Sequence, residues 1–97
     1  MNRTLEEIVD RIREARSDLF RRYPIERLGI FGSVVRGENT RESDVDILVE
    51  FNGPIGLEVA DLAFELDEIT GCNVDLVSAR GLKEGVKRLI ERDVIYV

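Results

Sequence analysis

Residues 32–46 read GSVVRGENTRESDVD and contain residue types that could bind phosphate and metal ions. Gly32 and Ser33 come first, and Asp44 and Asp46 follow after ten intervening residues. Exposed backbone N–H groups just after a strand suit an anion, and a glycine lets phosphate approach the backbone without a Cβ in the way. Ser33 adds a hydroxyl donor. Taken by itself, however, a Gly-Ser pair after a strand is equally typical of an ordinary turn.

Asp44 and Asp46 are separated by one residue at the start of an apolar run. Because side chains alternate along a strand, both carboxylates should point to the same face. Two like charges at so short a separation repel each other, so the pair requires cations or full solvation. Hard divalent ions such as Mg²⁺ take oxygen ligands and keep positions open for substrate phosphates. The alternative is an acidic strand entry that faces solvent.

Asp75 is the third carboxylate that could take part in chemistry. It lies between Val74 and Leu76 in a segment expected to form a buried strand, where an unpaired Asp is costly. If this strand lies beside the one that begins at Asp44, the three carboxylates form one cluster. Two could then hold two metal ions, and the third could serve one ion and accept a proton from an attacking hydroxyl. An edge-strand residue or a turn cap is the competing interpretation.

The elements that must position these residues are predicted by apolar periodicity. Thr4 and Glu7 form a capping box before a helix that runs to about Arg22, with an apolar face expected in the core. Strands are predicted at 27–31, 45–51, 73–77 and 94–97. Further helices are predicted at 33–36 (a short helix or turn), 57–70 and 82–90, and residues 37–43 are predicted to form a loop. The second long helix, 57–70, is also expected to pack on the core, with Phe64 in its apolar stripe. Part of the apolar face of either long helix could instead form a partner groove, and the sequence does not separate these interpretations.

This element order predicts a mixed α+β fold in which helices cover a small sheet. The 97 residues and 43% hydrophobic content fit one domain, residues 1–97. The net charge of −6 disfavours extended nucleic-acid binding, and the absence of histidine excludes His-based catalysis. The first twenty residues lack a secretory apolar block, Cys72 is the single cysteine, and no window is long enough to span a membrane. A cytoplasmic protein is therefore expected.

The combination of Gly-Ser, ten residues, Asp-x-Asp and a later strand-borne Asp resembles the minimal nucleotidyltransferases of the DNA polymerase beta superfamily. The resemblance covers about residues 26–97 and includes Arg36-Gly37 after the Gly-Ser pair. It implies a nucleotidyltransferase fold with a mixed sheet and two Mg²⁺ ions held by three carboxylates. It also implies that a nucleoside monophosphate moves from a triphosphate to a hydroxyl.

By this resemblance, Asp44 and Asp46 bind both metal ions, and Asp75 is a ligand and activator. Gly32 and Ser33 would contact the triphosphate. Arg36 could neutralise phosphate charge, but an arginine here could equally pair with Glu38 or Glu42.

Stand-alone minimal members of this superfamily are typically antitoxins whose toxin is a HEPN ribonuclease. The resemblance thus implies AMP transfer from ATP to a tyrosine hydroxyl of such a toxin. Three other functions stay open on the sequence: a binding module that neutralises its partner by association alone, nucleotidyl transfer to a small molecule or an RNA end, and a structural metal-binding domain. The last would leave the spacing of Gly32-Ser33 from Asp44 unexplained.

Overall fold

The computed structural model describes residues 3–40 and 42–97, so Arg41, in the predicted loop 37–43, lies outside the described residues. The secondary structure runs α1 Leu5–Arg22, β1 Ile25–Phe31, α2 Ser33–Arg36, β2 Val45–Phe51, α3 Glu58–Thr70, β3 Val74–Ser78, a 3₁₀ turn Ala79–Gly81, α4 Glu84–Glu91 and β4 Ile95–Tyr96. All the predicted helices and strands are present, and their ends differ from prediction by at most about two residues. The 3₁₀ turn was not predicted.

Helix α1 begins at the predicted capping box. The Glu7 amide donates to the Thr4 hydroxyl at 3.1 Å, and the Thr4 amide donates to the Glu7 carboxylate at 3.3 Å. These bonds satisfy amides that have no acceptor within the helix. The predicted core face is confirmed, because four of its side chains are buried: Ile8, Val9, Ile12 and Leu19.

The four strands form one mixed sheet in the order β3-β2-β1-β4. Strand β1 pairs antiparallel with both β2 and β4, whereas β2 pairs parallel with β3. Parallel neighbours need a crossover, and helix α3 provides it. The predicted mixed α+β fold with a small mixed sheet is confirmed.

Strand β2 divides the molecule into a closed face and an open face. Its odd-numbered residues, from Val45 to Phe51, belong to the apolar core beneath α1 and α3. The even-numbered Asp46, Leu48 and Glu50 point to the opposite face, as period-two geometry requires. Leu48 is buried there, so this face is open only toward the two ends of β2, where Asp46 and Glu50 are partly exposed. Asp46 is thereby held on the open face by a strand whose other side is anchored in the core.

The apolar stripe of α3 is only partly in the core. Leu62 and Leu66 are fully buried, but Phe64, which was expected to pack, is 67% exposed. The core interpretation was wrong for Phe64, because with about 3.6 residues per turn this side chain lies nearly opposite Leu62 and Leu66 around the helix axis. Helix α4 likewise leaves Leu89 59% exposed and buries none of its side chains fully. No helix within residues 3–40 and 42–97 is long and apolar enough to cross a membrane.

A polar contact joins α1 to α3 and gives a testable pH dependence. The Glu65 carboxylate accepts from Arg22 Nη1 at 3.0 Å and from the Tyr23 hydroxyl, and these bonds, Arg22 first, lower its pKa below 4.5. A carboxylate whose pKa is lowered by folding stabilises the folded state above its unfolded pKa, and this contribution is lost as the pH falls through the folded value.

Replacement of Glu65 by glutamine should therefore lower the free energy of unfolding at pH 7 by about 1 kcal/mol, an amount reduced by solvent screening. Urea titrations at pH 7, 5, 4 and 3 would measure it. The loss should shrink below pH 4.5, because protonation also weakens the wild-type contact. Glu68→Gln, an exposed change on the same helix, should not alter the pH profile. Equal losses for Glu65→Gln at all four pH values would contradict the assignment.

Candidate active site

The sheet register brings three of the predicted site residues to one end of the open face. Asp46 is opposite Phe31 at the end of β1, and Gly32 follows directly. On its other side Asp46 is level with Asp75 in the parallel pair β2-β3. Asp44 comes just before β2, is exposed, and lies close enough for its charge to act on Asp46. The three carboxylates and the Gly32-Ser33 turn therefore lie at the same end of strands β1, β2 and β3.

Gly32 is the point of closest approach between the turn and the carboxylates. Its φ of 83° and ψ of −153° lie in a region that is essentially restricted to glycine. A Cβ built on Gly32 would lie 2.1 Å from Oδ2 of Asp46. The Asp46 carboxylate thus occupies the space that any other residue at position 32 would need.

Helix α2 follows Gly32 and is a single turn. The amides of Val35 and Arg36 donate to the Gly32 carbonyl at 3.1 and 3.3 Å. The amides of Ser33 and Val34 precede these bonds and, as the first amides of a helix, have no acceptor within it. Gly37, in the left-handed conformation with φ 73°, closes the turn. The predicted short helix at 33–36 is confirmed, and its leading amides are adjacent to Asp46.

Asp75 does not lie in a buried strand, and that expectation was wrong. Strand β3 is at the edge of the sheet, so it has one neighbouring strand, and Asp75 is exposed. The apolar residues on either side of Asp75 are only half-buried. Edge position, rather than burial, therefore explains how an Asp is tolerated there, and it leaves the carboxylate accessible to a substrate.

The surroundings of Asp46 disfavour the ionised form of its carboxyl group. Partial burial raises the pKa of its carboxyl above the ordinary value, and the negative charges of Asp75 and Asp44 raise it further. The guanidinium of Arg36 partly offsets these effects. Asp46 therefore experiences more negative charge than the protein itself neutralises, which is the condition under which a cation binds favourably.

This electrostatic imbalance fits Mg²⁺, which prefers carboxylate oxygens and completes its shell with water and substrate phosphates. Within the described ranges, no three acidic, Cys or His side chains are gathered closely enough to enclose an ion on their own. Asp44, Asp46 and Asp75 could therefore hold an ion only together with further oxygen ligands, such as those of water or phosphate. Such a set suits ions that are shared between protein and nucleotide.

Arg36 makes two ion pairs at the end of α2. Its Nε lies 3.0 Å from Glu38, one of the two partners predicted as alternatives to phosphate. Its Nη1 lies 3.0 Å from Asp93, in the segment between α4 and β4. Sequence reasoning missed Asp93 because 57 residues separate the partners and no local pattern marks the pair. Arg36 is therefore tied to two carboxylates while its charge still reaches Asp46.

A cleft of about 440 Å³ opens beside Asp44, but it lies between the loop that precedes β2 and residues of α1 and α3. Its lining includes Asp44 and Val34, but it does not contain Gly32, Ser33, Asp46 or Asp75. Glu42, Asp67 and Glu68 make the cleft acidic, with Arg3 as a basic residue in the lining. The cleft lacks the Gly32-Ser33 turn, whose leading amides suit an anion, so the open face beside Ser33 is the better candidate for phosphate.

Comparison with known proteins agrees with this geometry. Residues 9–97 match the family model of the nucleotidyltransferase domain. Protein adenylyltransferase MntA of Thermococcus cleftensis is 41% identical over 95 residues, which cover 97% of this chain and 96% of the relative. A Methanocaldococcus jannaschii protein to which protein adenylyltransferase activity is assigned is 40% identical, with 98% of this chain and 99% of the relative covered.

Solved structures show the same relationship. A protein assigned as a minimal nucleotidyltransferase superimposes with a TM-score of 0.81 at 39% identity, covering 97% of this chain and 96% of the other. An MNT antitoxin complex with the tri-AMPylated HEPN toxin of Shewanella oneidensis matches with a TM-score of 0.62 at 19% identity, covering 93% and 67%. The second likeness shows a shared fold. On the family model, the close relatives and the fold, this chain belongs to the nucleotidyltransferase domain family and is an enzyme of that class.

Proposed function

We propose that this nucleotidyltransferase moves AMP from ATP to a tyrosine hydroxyl of a partner HEPN toxin and thereby acts as an antitoxin. The observation that carries the proposal is the position of Asp46, against Gly32 and level with Asp75. This arrangement joins a phosphate-binding turn to a set of metal-binding carboxylates. The names of the close relatives support protein as the acceptor and adenylate as the transferred group.

Each site residue then has a defined task. The amides of Ser33 and Val34 and the Ser33 hydroxyl bind the triphosphate, and Gly32 allows its approach. Arg36 contributes positive charge toward the phosphates. Asp44, Asp46 and Asp75 hold two Mg²⁺ ions, which when bound supply charge neutralisation at the reacting phosphate. Asp75, exposed at the sheet edge, also accepts the proton of the incoming hydroxyl.

The transfer is a single displacement at the α-phosphorus. The acceptor oxygen forms a bond to that phosphorus while the bond to the bridging oxygen of pyrophosphate breaks. Asp75 removes the hydroxyl proton. Ser33 and the leading amides of α2 stabilise the charge that develops on pyrophosphate. The products are an AMP-modified acceptor and pyrophosphate.

Intact-mass spectrometry of both proteins tests the proposal directly. The chain is incubated with its purified candidate HEPN partner, ATP and Mg²⁺. One or more AMP increments on the partner are expected with the wild-type chain, and none with the Asp44→Asn/Asp46→Asn double variant. A wild-type reaction that leaves the partner unmodified would contradict the proposal.

Asp75→Asn separates proton transfer from nucleotide binding. Because the amide keeps the shape of Asp75 but not its basicity, transfer should fall by about 10²-fold or more. The Kd for ATP with Mg²⁺ should change by about threefold or less, because the other two carboxylates and the Ser33 turn remain. Single-turnover rates and calorimetric titration measure the two quantities. Wild-type transfer by Asp75→Asn would exclude the proposed role of this residue.

Association without chemistry is the second candidate function. The observation in its favour is the exposure of Phe64 and Leu89, 67% and 59%, because a bound partner could cover these apolar side chains. In the same incubation, a stable complex and full inhibition of the toxin by the Asp44→Asn/Asp46→Asn double variant would establish this function. Loss of inhibition in that variant would show that transfer is required.

A further inference from the structure

We propose that Asp93 is a positioning residue that holds the Arg36 guanidinium toward the nucleotide phosphates. This inference rests on the proposed function. It concerns a residue that lies outside the Gly-Ser and Asp-x-Asp motifs and 57 residues from Arg36 along the chain.

The backbone around Asp93 is firmly anchored. Its amide donates to the Ile90 carbonyl at 3.1 Å, and the next amide, that of Val94, donates to the same carbonyl at 3.2 Å. Val94 then packs directly on the open face of β1, where a Cβ at Gly29 would lie 2.5 Å from its Cγ2. Ile95 continues into the β1-β4 pair. Asp93 is therefore fixed between a helix end and the sheet.

Arg36, in contrast, has little local support. It is the last residue of a single-turn helix, and its side chain is 48% exposed. The pair with Glu38 joins residues two apart on the same loop, so it moves with the loop and cannot fix the guanidinium relative to the sheet. The 3.0 Å contact with Asp93 connects Arg36 to a different element. Asp93 therefore supplies the long-range contact that orients this side chain.

The remaining donors of Arg36 are suited to phosphate. A guanidinium has five N–H groups, and the contacts with Glu38 and Asp93 use Nε and one proton of Nη1. Among the described residues the other donors make no hydrogen bond, so they are available to a ligand. Arg36 ends the single-turn helix that begins at the Gly32-Ser33 turn, and its charge acts on Asp46, so the guanidinium is on the same side of the molecule as the carboxylate cluster. Pre-orientation of a long side chain reduces the entropy lost when it binds phosphate.

The substitution Asp93→Asn tests the proposal, because positioning and simple charge predict opposite signs. Removal of a negative charge near a site that binds a polyanion should by itself tighten nucleotide binding. Loss of orientation should weaken it. We expect Asp93→Asn to raise the Kd of the Mg²⁺ complex of a non-hydrolysable ATP analogue by about fivefold or more, measured calorimetrically. Asp93→Glu should restore most of the affinity.

Two further variants show whether Asp93 acts through Arg36. In an Arg36→Ala background, Asp93→Asn should no longer weaken binding and should leave the Kd unchanged or slightly lower, as in a double-mutant cycle between coupled residues. Glu91→Gln is the charge control. Glu91 is the last residue of α4 and pairs with Lys87 at 3.9 Å, so its substitution should leave the Kd unchanged or slightly lower. Thermal unfolding of each variant detects any general loss of structure.

Each outcome has a definite meaning. If the wild-type chain binds the analogue and Asp93→Asn binds it equally or more tightly, the positioning role is overturned and the proposed function stands. Equal weakening by Asp93→Asn in the Arg36→Ala background also overturns it, since Asp93 would then act by another route. If the wild-type chain binds no nucleotide with Mg²⁺, the proposed function and this inference fall together.

Discussion

Replacement of Gly32 by alanine is expected to abolish nucleotidyl transfer, with a loss of at least about 10³-fold, and to destabilise the fold by about 2 kcal/mol. The new Cβ would lie 2.1 Å from Oδ2 of Asp46, so either that carboxylate or the turn must move. The backbone at φ 83° and ψ −153° also disfavours any L side chain. Single-turnover transfer and urea unfolding measure the two effects.

Gly37→Ala is the matched control. Gly37 also has a positive φ, 73°, but a Cβ there would meet no atom within 4 Å among those described. Its substitution should cost about 1 kcal/mol of stability through backbone strain and leave transfer within about threefold of wild type. If both variants lost activity equally, general backbone strain rather than displacement of Asp46 would be responsible, and the assigned function of Gly32 would be wrong.

Asp46→Asn should have the second large effect, a fall in transfer of about 10³-fold without loss of structure. Asp46 is the carboxylate beside the Gly32 turn and is level with Asp75, so in the proposed function its charge is central to metal binding. The amide retains the shape but removes one of the mutually repelling charges that raise the pKa of this group. A group whose pKa is raised by folding destabilises the folded state once the pH exceeds that value. In EDTA at pH 7, the variant should therefore unfold at the wild-type temperature or above.

Asp10→Asn, an exposed change on α1, is the control for charge alone. It should leave both transfer and the unfolding temperature unchanged. Intact-mass assays and thermal unfolding with and without Mg²⁺ measure these quantities. Transfer by Asp46→Asn within tenfold of wild type, or unfolding of the variant well below the wild-type temperature, would assign Asp46 a structural function instead.

The parts of the fold that the sequence predicts are those determined by neighbouring residues. The capping box at Thr4 and the alternation from Val45 to Phe51 act over a few residues, and both elements form where they were predicted. The proximity of Gly32 and Asp46 could also be predicted, because Gly32 follows the end of β1 and Asp46 lies at the start of β2. The proximity of Asp75 followed once β3 was placed beside β2.

Features that depend on sheet order could not be read in this way. The exposure of Asp75 follows from the edge position of β3, and apolar residues on both sides of an Asp occur in edge and central strands alike. The exposure of Phe64, by contrast, follows from helical periodicity, since Phe64 lies nearly opposite Leu62 and Leu66 around α3. The contact between Arg36 and Asp93 requires the end of α4 to reach α2, which no local pattern encodes.

The sheet topology also determines when the site can assemble during synthesis from the N-terminus. Strands β1 and β2 are antiparallel and consecutive, so Gly32 and Asp46 meet through a local hairpin. Asp75 can join them only after the α3 crossover is complete, and Asp93 reaches Arg36 only when the β4 segment docks on β1. Local pairing forms faster than pairing across long loops. The contact between Gly32 and Asp46 can therefore form in a nascent chain before Asp75 and Asp93 reach their positions.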